Sequence, residues 1–163
     1  MSYSYHVRIA KEYLVFSAAH FITFDGDICE RLHGHNYRVA AEWHGALDEN
    51  HYVVDFIALR DALRTILDEL DHFVLLPTEH PKIRVTASDT SVEATFAERR
   101  WLFPRGDCKL LPVANTTAEL LAQYIGQRLL TAMADAKGVR PMRLVIEVDE
   151  CFGQLGVCEL QPD

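Results

Sequence analysis

The sequence predicts an α+β fold in which an antiparallel sheet is covered on one face by two helices. Two segments near the N-terminus and two near the C-terminus alternate polar and apolar residues with the period of a β-strand. Between them lie two segments whose apolar residues recur with the period of an α-helix. Hairpins separated by helices are typical of this fold class. The length of 163 residues suits one domain, so we expect a single domain over residues 1–163.

The first strand is expected to run from Tyr3 to about Ala19, and the second from His33 to Trp43. Both alternate with period two, and we expect them to pair as a hairpin. The odd positions of the second strand form one face: His33, His35, Tyr37, Val39, Ala41 and Trp43.

The first helix is expected to begin after Asp55, which is a suitable N-cap. Its apolar stripe consists of Phe56, Leu59, Leu63, Ile66, Leu67 and Leu70. Residues 80–113 form an insertion between the helices, in which short apolar alternations predict extra strands and the sequence PRG at 104–106 predicts a turn.

The second helix is expected to start at residues 116–119 (TTAE), which match the capping box. In that arrangement a hydroxyl and a carboxylate reciprocally satisfy free backbone donors. Gly138 is the expected end of the helix. Strands over residues 144–148 and 157–160 complete the chain.

The composition argues against several classes of protein. The net charge is −8 and the basic residues are scattered, whereas proteins that bind nucleic acid concentrate Lys and Arg. No apolar run reaches the roughly 18–20 residues that cross a bilayer, and the N-terminus lacks the apolar block of a signal peptide. We therefore expect a cytoplasmic protein with reduced thiols and no nucleic-acid or membrane partner.

Three histidines indicate a metal site. His33 and His35 are two apart on a strand, so both imidazoles leave the same face, and Gly34 removes a side chain from the other face. If the first two strands pair, His20 comes back beside them. Three neutral imidazoles without an obvious fourth ligand match a catalytic zinc site with an open position. A lone His-x-His or a single histidine is more often structural, so the prediction depends on their combination.

Cys29 and the pair Asp71–His72 are the candidate proton-transfer groups. A thiol near zinc and near Arg31 is expected to have a lowered pKa and could act as a base. It could instead be an inert half-buried thiol, or a fourth ligand that closes a structural site. A carboxylate beside an imidazole can orient the ring as a general acid, although such a dipeptide is usually a solvated helix terminus.

Six separated segments resemble the 6-pyruvoyltetrahydropterin synthase / 6-carboxytetrahydropterin synthase superfamily. They are FSAAH at 16–20, CERLHGHNY at 29–37, VDF at 54–56, LDH at 70–72, NTTAE at 115–119 and Glu150. The resemblance implies the tunnel fold (ββααββ), in which subunits form a ring with active sites at subunit contacts. We therefore expect a homo-oligomer, either a trimer or a hexamer, with a small-molecule pterin, 7,8-dihydroneopterin triphosphate, as its substrate.

The resemblance also implies a role for each matching residue. His20, His33 and His35 would hold Zn²⁺, and Cys29 would remove a proton from the substrate side chain. Asp71 and His72 would be the partner acid/base pair. Glu150 would accept hydrogen bonds from the pyrimidine edge of the pterin, beside Thr116 and Thr117. Glu150 is followed by Cys151, whereas the family usually has Thr at that place.

Two activities within the superfamily compete. The spacing CxxxHGH resembles the 6-carboxytetrahydropterin synthases of 7-deazapurine (queuosine-type) biosynthesis. The 6-pyruvoyl enzymes of the tetrahydrobiopterin route typically have a longer spacing, although the sequence HNY at 35–37 fits them well. A third branch, which serves folate synthesis, typically has Glu at the position of Cys29. A non-catalytic zinc or pterin-binding module on the same scaffold is a further alternative.

Overall fold

The computed structural model describes residues 1–26 and 28–162, and it is an α+β structure. Its helices are α1 (Phe56–Asp68) and α2 (Ala118–Lys137), with a short 3-10 turn at Arg105–Asp107. Its strands are β1 (Tyr5–Ile9), β2 (Val15–His20), β3 (Thr23–Phe24), β4 (Ile28–Cys29), β5 (His33–Gly45), β6 (Phe73–Pro77), β7 (Arg84–Ala87), β8 (Ser91–Phe96), β9 (Arg99–Pro104), β10 (Cys108–Leu111), β11 (Arg143–Cys151) and β12 (Gln154–Leu160). No helix in the described ranges is long and apolar enough to span a bilayer.

The main sheet has the strand order β10-β6-β2-β5-β11-β12, and β1 also pairs with β5. Most pairs are antiparallel, but β6 runs parallel to both β2 and β10. The predicted antiparallel sheet is therefore confirmed for most strand pairs, with parallel pairs only around β6 among the described strands. The reason is the connections: parallel neighbours need a crossover, which α1 supplies before β6 and the inserted strands supply before β10.

The first segment is two strands, not the single strand expected from Tyr3 to about Ala19. Both strands lie against β5: Ile9 pairs with Ala41, whereas Val15 pairs with Arg38. Five residues, 10–14, therefore oppose only two on β5, and they loop out of the ladder. Across this loop the buried positions change from odd, at Val7 and Ile9, to even, at Leu14 and Phe16.

Both helices pack on one face of the main sheet, as predicted. The shared core includes the odd positions of β5 from Tyr37 to Trp43, which are at most 3% exposed. The carboxylate of Asp55 accepts hydrogen bonds from the amides of Ile57 (2.8 Å) and Ala58 (3.2 Å), so the predicted N-cap is confirmed. Phe56 does not join the stripe, because it lies in the exposed first turn.

The start of α2 differs from the capping box. Thr117, not Thr116, is the N-cap, and its hydroxyl accepts a hydrogen bond from the amide of Leu120. Glu119 is consequently the second helical residue and is one position too early for the reciprocal bond. Gly138 ends the helix with φ of 65°, a left-handed conformation that glycine adopts without strain, so the predicted terminator is confirmed.

The insertion contains strands, as predicted. β7, β8 and β9 form a separate three-stranded antiparallel sheet. It covers a second apolar cluster, which includes Phe21, Leu76, Val92 and Phe96. The side chains of β6 alternate between the two cores, with Leu75 in the main core and Leu76 in the second. The strands β6 and β10 and the small hairpin of β3 and β4 were not predicted from the sequence.

Candidate metal centre

The register of β2 and β5 brings the three histidines together. His20 is directly opposite His33, and His35 follows two positions along the same face of β5. The ring centroids are 4.7 Å apart for His20 and His33, 5.3 Å for His20 and His35, and 4.8 Å for His33 and His35. One nitrogen from each ring can be chosen so that all three lie within 4.8 Å of one another. This is a cluster that could hold a metal ion.

Backbone carbonyls orient two of the rings. Nδ1 of His20 is 2.8 Å from the carbonyl oxygen of Thr116, and Nδ1 of His33 is 2.8 Å from that of Arg31. Because a carbonyl only accepts hydrogen bonds, each Nδ1 carries the proton and each Nε2 keeps its lone pair. Metal-binding histidines are typically fixed in this way, by a hydrogen bond at the nitrogen that does not face the metal.

Two of the facing nitrogens make no hydrogen bond within the described residues. Nε2 of His20 and Nε2 of His35 are buried and make no hydrogen bond in the described part of the chain. A buried polar atom without a hydrogen-bond partner costs roughly 1–3 kcal/mol, so two of them side by side indicate a missing ligand. Burial lowers the pKa of His20 to about 4, with the other two imidazoles contributing in the same direction. His20 is therefore neutral at pH 7, as coordination requires.

Two carboxylates lie at the edge of the cluster. Glu150, on β11, has Oε1 3.3 Å from Nε2 of His20 and 3.8 Å from Nε2 of His35. Glu30 has Oε2 3.9 Å from Nε2 of His33. A role for Glu150 was predicted from the sequence, whereas Glu30 was missed, although its place three residues before His33 was a usable signal. Both carboxylates can bind or orient a cationic or proton-donating group at the cluster.

Cys29 lies on β4 and is half-buried. Its Sγ is 3.6 Å from the carbonyl oxygen of Glu30. Burial raises the pKa of the thiol, Arg99 opposes the rise, and Glu30 adds to it. Among the chain's own groups, desolvation therefore outweighs the nearby charge, and the lowered pKa expected beside a bound zinc ion stays a prediction. The cation that acts on the thiol is Arg99, which is 70 residues away in sequence, and not Arg31.

Asp71 and His72 form the expected pair. Nδ1 of His72 is 2.8 Å from Oδ2 of Asp71, and Oδ1 of Asp71 accepts a hydrogen bond from the amide of Ser17 at 2.7 Å. Although burial acts against it, the hydrogen bonds from Ser17 and His72 lower the pKa of Asp71. The imidazole side chain is 81% exposed. The pair is thus anchored to β2 and presents its ring to the surface.

The pair lies on the opposite face of the sheet from the histidine cluster. His72 lines an open depression of about 490 Å³ together with Ser17, Ala19, Gly34 and Asn36. Ala18 and His35 also line it, but by strand alternation their side chains leave the other face of the sheet, with those of His20 and His33. In the described ranges no hydrogen bond or ion pair joins Cys29 to Asp71 or His72. One chain therefore does not bring all the predicted catalytic residues into one site.

Thr116 and Thr117 both make structural hydrogen bonds within the chain. Thr116 is fully buried; its hydroxyl donates to the carbonyl of Phe21 at 3.3 Å, and its own carbonyl holds His20. Thr117 caps α2. The predicted contacts of Thr116 and Thr117 with a pterin stay predictions, but Thr116 has a role that the sequence did not reveal, which is to orient a metal-site imidazole.

The family model described as 6-pyruvoyl tetrahydropterin synthase matches residues 8–154. The chain belongs to this family. The match covers all three histidines, Cys29 and Glu150, and it confirms the resemblance that the separated motifs indicated.

Relatives and solved structures agree with this assignment. A protein of Methanocaldococcus jannaschii, provisionally named 6-carboxy-5,6,7,8-tetrahydropterin synthase, is 30% identical over 89% of this chain and 88% of its own. A Pyrococcus abyssi protein with the same provisional name is 29% identical over 82% and 80%. The structure of Plasmodium falciparum 6-pyruvoyl tetrahydropterin synthase has a TM-score of 0.89 at 27% identity and covers 98% of this chain and 99% of its own. The tunnel fold that the resemblance implied is confirmed.

Proposed function

We propose that the protein is a zinc-dependent pterin synthase that converts 7,8-dihydroneopterin triphosphate to 6-carboxy-5,6,7,8-tetrahydropterin, in 7-deazapurine (queuosine-type) biosynthesis. The observation that carries the proposal is the cluster of His20, His33 and His35, with two buried Nε2 atoms that lack a partner. The names of the archaeal relatives support the carboxy product, as does the CxxxHGH spacing.

Zinc is the metal that the donor set favours. Three neutral imidazoles with room for a further ligand are typical of catalytic zinc sites. A bound zinc ion would supply Lewis acidity to oxygens of the substrate side chain. Glu150, at the rim of the cluster, would be free to accept hydrogen bonds from the pterin, because its carboxylate makes no hydrogen bond to Nε2 of His20 or His35.

Two neighbouring residues are candidates for the base that removes a proton from the substrate side chain. Cys29 is the residue that the family resemblance assigns. Glu30 competes with it, because its carboxylate is 3.9 Å from Nε2 of His33, whereas burial raises the pKa of the thiol. We propose Cys29 as the base and expect a bound dication to offset the cost of desolvating its thiolate.

A second copy of the chain would complete the site. Because His72 lies on the face opposite the histidine cluster, we propose that Asp71–His72 of one subunit serves the cluster of a neighbour in a ring. The sheet supports this: β10 and β12 each have one paired edge in the described chain, and unpaired edges are normally covered or closed. A trimer or a pair of trimers closes such edges with cyclic symmetry.

The experiment that tests the proposal combines product and metal analysis. The purified, zinc-loaded protein is incubated with 7,8-dihydroneopterin triphosphate, and the products are identified by mass. We expect the 6-carboxy product; a 6-pyruvoyl product would support the second candidate, which the similarity to the Plasmodium enzyme favours. Absence of turnover with zinc bound would support a binding module.

Variants then identify the base. We expect Cys29→Ala to lose on the order of 10²–10⁴ in turnover with zinc retained, and Glu30→Gln to lose far less. The reverse order would assign the base to Glu30. Loss of zinc from Cys29→Ala would make the thiol a ligand. Combining Cys29→Ala with His72→Ala should cost much less than the product of the two effects, because residues that act as a unit are non-additive.

A further inference from the structure

The segment that carries Cys29 cannot hold its own position. β3 and β4 are two residues each and pair only with one another. A hairpin of this size is not stable alone in water. Its position relative to the histidines must therefore be set by contacts from elsewhere in the chain.

The inserted sheet supplies one of these contacts. Nη1 of Arg99, the first residue of β9, donates to the carbonyl of Cys29 at 2.5 Å. The same guanidinium lies 4.7 Å from the ring centroid of Trp101, and Trp101 stacks on Phe21 with centroids 4.3 Å apart and planes at 16°. Phe21 directly follows His20. Arg99 thus connects the cysteine to the residue next to a metal-site histidine through two rigid planar contacts.

The loop before the inserted sheet holds the other strand of the hairpin. Nδ1 of His80 accepts hydrogen bonds from the amides of Lys82 (2.9 Å) and Ile83 (2.8 Å), so the ring proton is on Nε2. That nitrogen donates to Oγ1 of Thr23 at 2.7 Å. Asn115 adds a hydrogen bond to the carbonyl of Thr23 at 3.0 Å. Both strands of the hairpin are therefore tied to residues 80–115.

We propose that Arg99 is a positioning residue, and that the inserted sheet sets the place of the Cys29 hairpin beside the histidine cluster. The catalytic part of this inference rests on the proposed function, whereas the positioning part does not. In this arrangement the insertion braces the reactive segment, through β9 on one strand of the hairpin and through the loop at His80 on the other. A displacement of about 1 Å can cost on the order of 10²-fold in rate, so a brace of this kind acts on turnover more than on substrate binding.

The test compares Arg99→Gln with Arg100→Gln in the zinc-loaded protein. Arg100 is a matched control, because it is the next residue of β9, points to the opposite face and pairs with Glu93. Amide hydrogen exchange of residues 22–30 reports the hairpin, and exchange of β5 reports the main sheet. In Arg99→Gln we expect amide exchange to be at least tenfold faster in the hairpin and unchanged in β5. We expect kcat to fall about 10–100-fold, whereas KM stays nearly unchanged and zinc is retained. Arg100→Gln should match the wild type, and Arg99→Lys should lie between.

The possible results distinguish the positioning role of Arg99 from its effect on catalysis. Unchanged exchange in the hairpin of Arg99→Gln overturns the positioning role, whatever happens to turnover. Faster exchange together with unchanged kcat overturns the catalytic part. If the wild type has no turnover, the proposed function fails, and the exchange data still decide whether Arg99 braces the hairpin. Should Arg99→Gln fail to fold, His80→Gln is measured in the same way, because it loosens the other strand of the hairpin.

Discussion

Replacing Gly156 by alanine should damage both the packing of α2 and the metal centre. Gly156 lies on β12 under the first turn of α2. An added Cβ would be 2.5 Å from the carbonyl carbon of Ala118 and 2.5 Å from the amide nitrogen of Glu119. Backbone atoms cannot rotate away as a side chain can, so the helix start must move. Two residues earlier, the carbonyl of Thr116 holds the imidazole of His20.

The size of the effect follows from these contacts. Overpacking of a close contact costs about 1–3 kcal/mol, which for a protein of this length lowers Tm by roughly 2–12 °C. A displaced carbonyl partner of a ligating histidine weakens metal affinity roughly 10–100-fold. Thermal unfolding of the metal-free protein measures the first quantity, and competition with a zinc chelator measures the second.

Two other glycines serve as controls for this variant. An alanine at Gly106 meets nothing within 4 Å, and one at Gly126 meets mainly the end of the Leu160 side chain at 2.6 Å, which can move. We expect no loss for Gly106→Ala and a smaller loss for Gly126→Ala than for Gly156→Ala. Equal stability of Gly156→Ala and the wild type would refute the reasoning about packing. Lost stability with unchanged zinc affinity would refute the link to His20.

Three further predictions concern the metal, the charges and the assembly. Elemental analysis should find one zinc per chain, and His33→Ala should remove it; zinc that survives the substitution would exclude this site. Hydrogen bonding from Arg128 lowers the pKa of Glu69 in the folded protein. The ionised carboxylate of Glu69 therefore stabilises the fold at a pH above the pKa that it has in the unfolded chain, and this stabilisation is lost as the pH falls through the pKa that it has in the folded protein. The pair is partly exposed and screened, so chemical denaturation at pH 7 should show a free energy of unfolding about 0.5 kcal/mol lower for Glu69→Gln than for the wild type. This difference between the two proteins should shrink as the pH falls below 4.5. A difference that does not change with pH would contradict the prediction. Light scattering at micromolar concentration should give a trimer or hexamer, and a monomer would contradict the proposed ring.

Features with a local cause could be predicted from the sequence. The face of β5, the N-cap at Asp55 and the end of α2 at Gly138 each follow from residue spacing or from one residue's conformational preference. The histidine cluster also follows, because the predicted pairing of the first two strands already places His20 beside His33. Predicting such features requires only the residues that are close in sequence or the pairing of two strands.

Features with a distant cause could not be predicted. The carbonyl of Thr116 that orients His20 is 96 residues away, and the guanidinium of Arg99 at Cys29 is 70 residues away. Neither contact leaves a pattern in the sequence around the histidines. The same holds for His72: periodicity places it after α1, but only the three-dimensional structure reveals on which face of the sheet its ring lies.

The shared face of β5 has a consequence for changes in chain length. The side chains of His33 and His35 leave the same face of β5 as those of Tyr37 and Val39. Inserting or deleting one residue between His35 and Tyr37 would therefore turn both imidazoles to the opposite face of the sheet. The parity of the strand therefore excludes the gain or loss of a single residue within this stretch, whereas it sets no such limit on the connection at 46–54. Parity fixes the number of residues between His35 and Tyr37. The number between Cys29 and His33 is limited instead by the place of the Cys29 hairpin and by the hydrogen bond between Nδ1 of His33 and the carbonyl of Arg31.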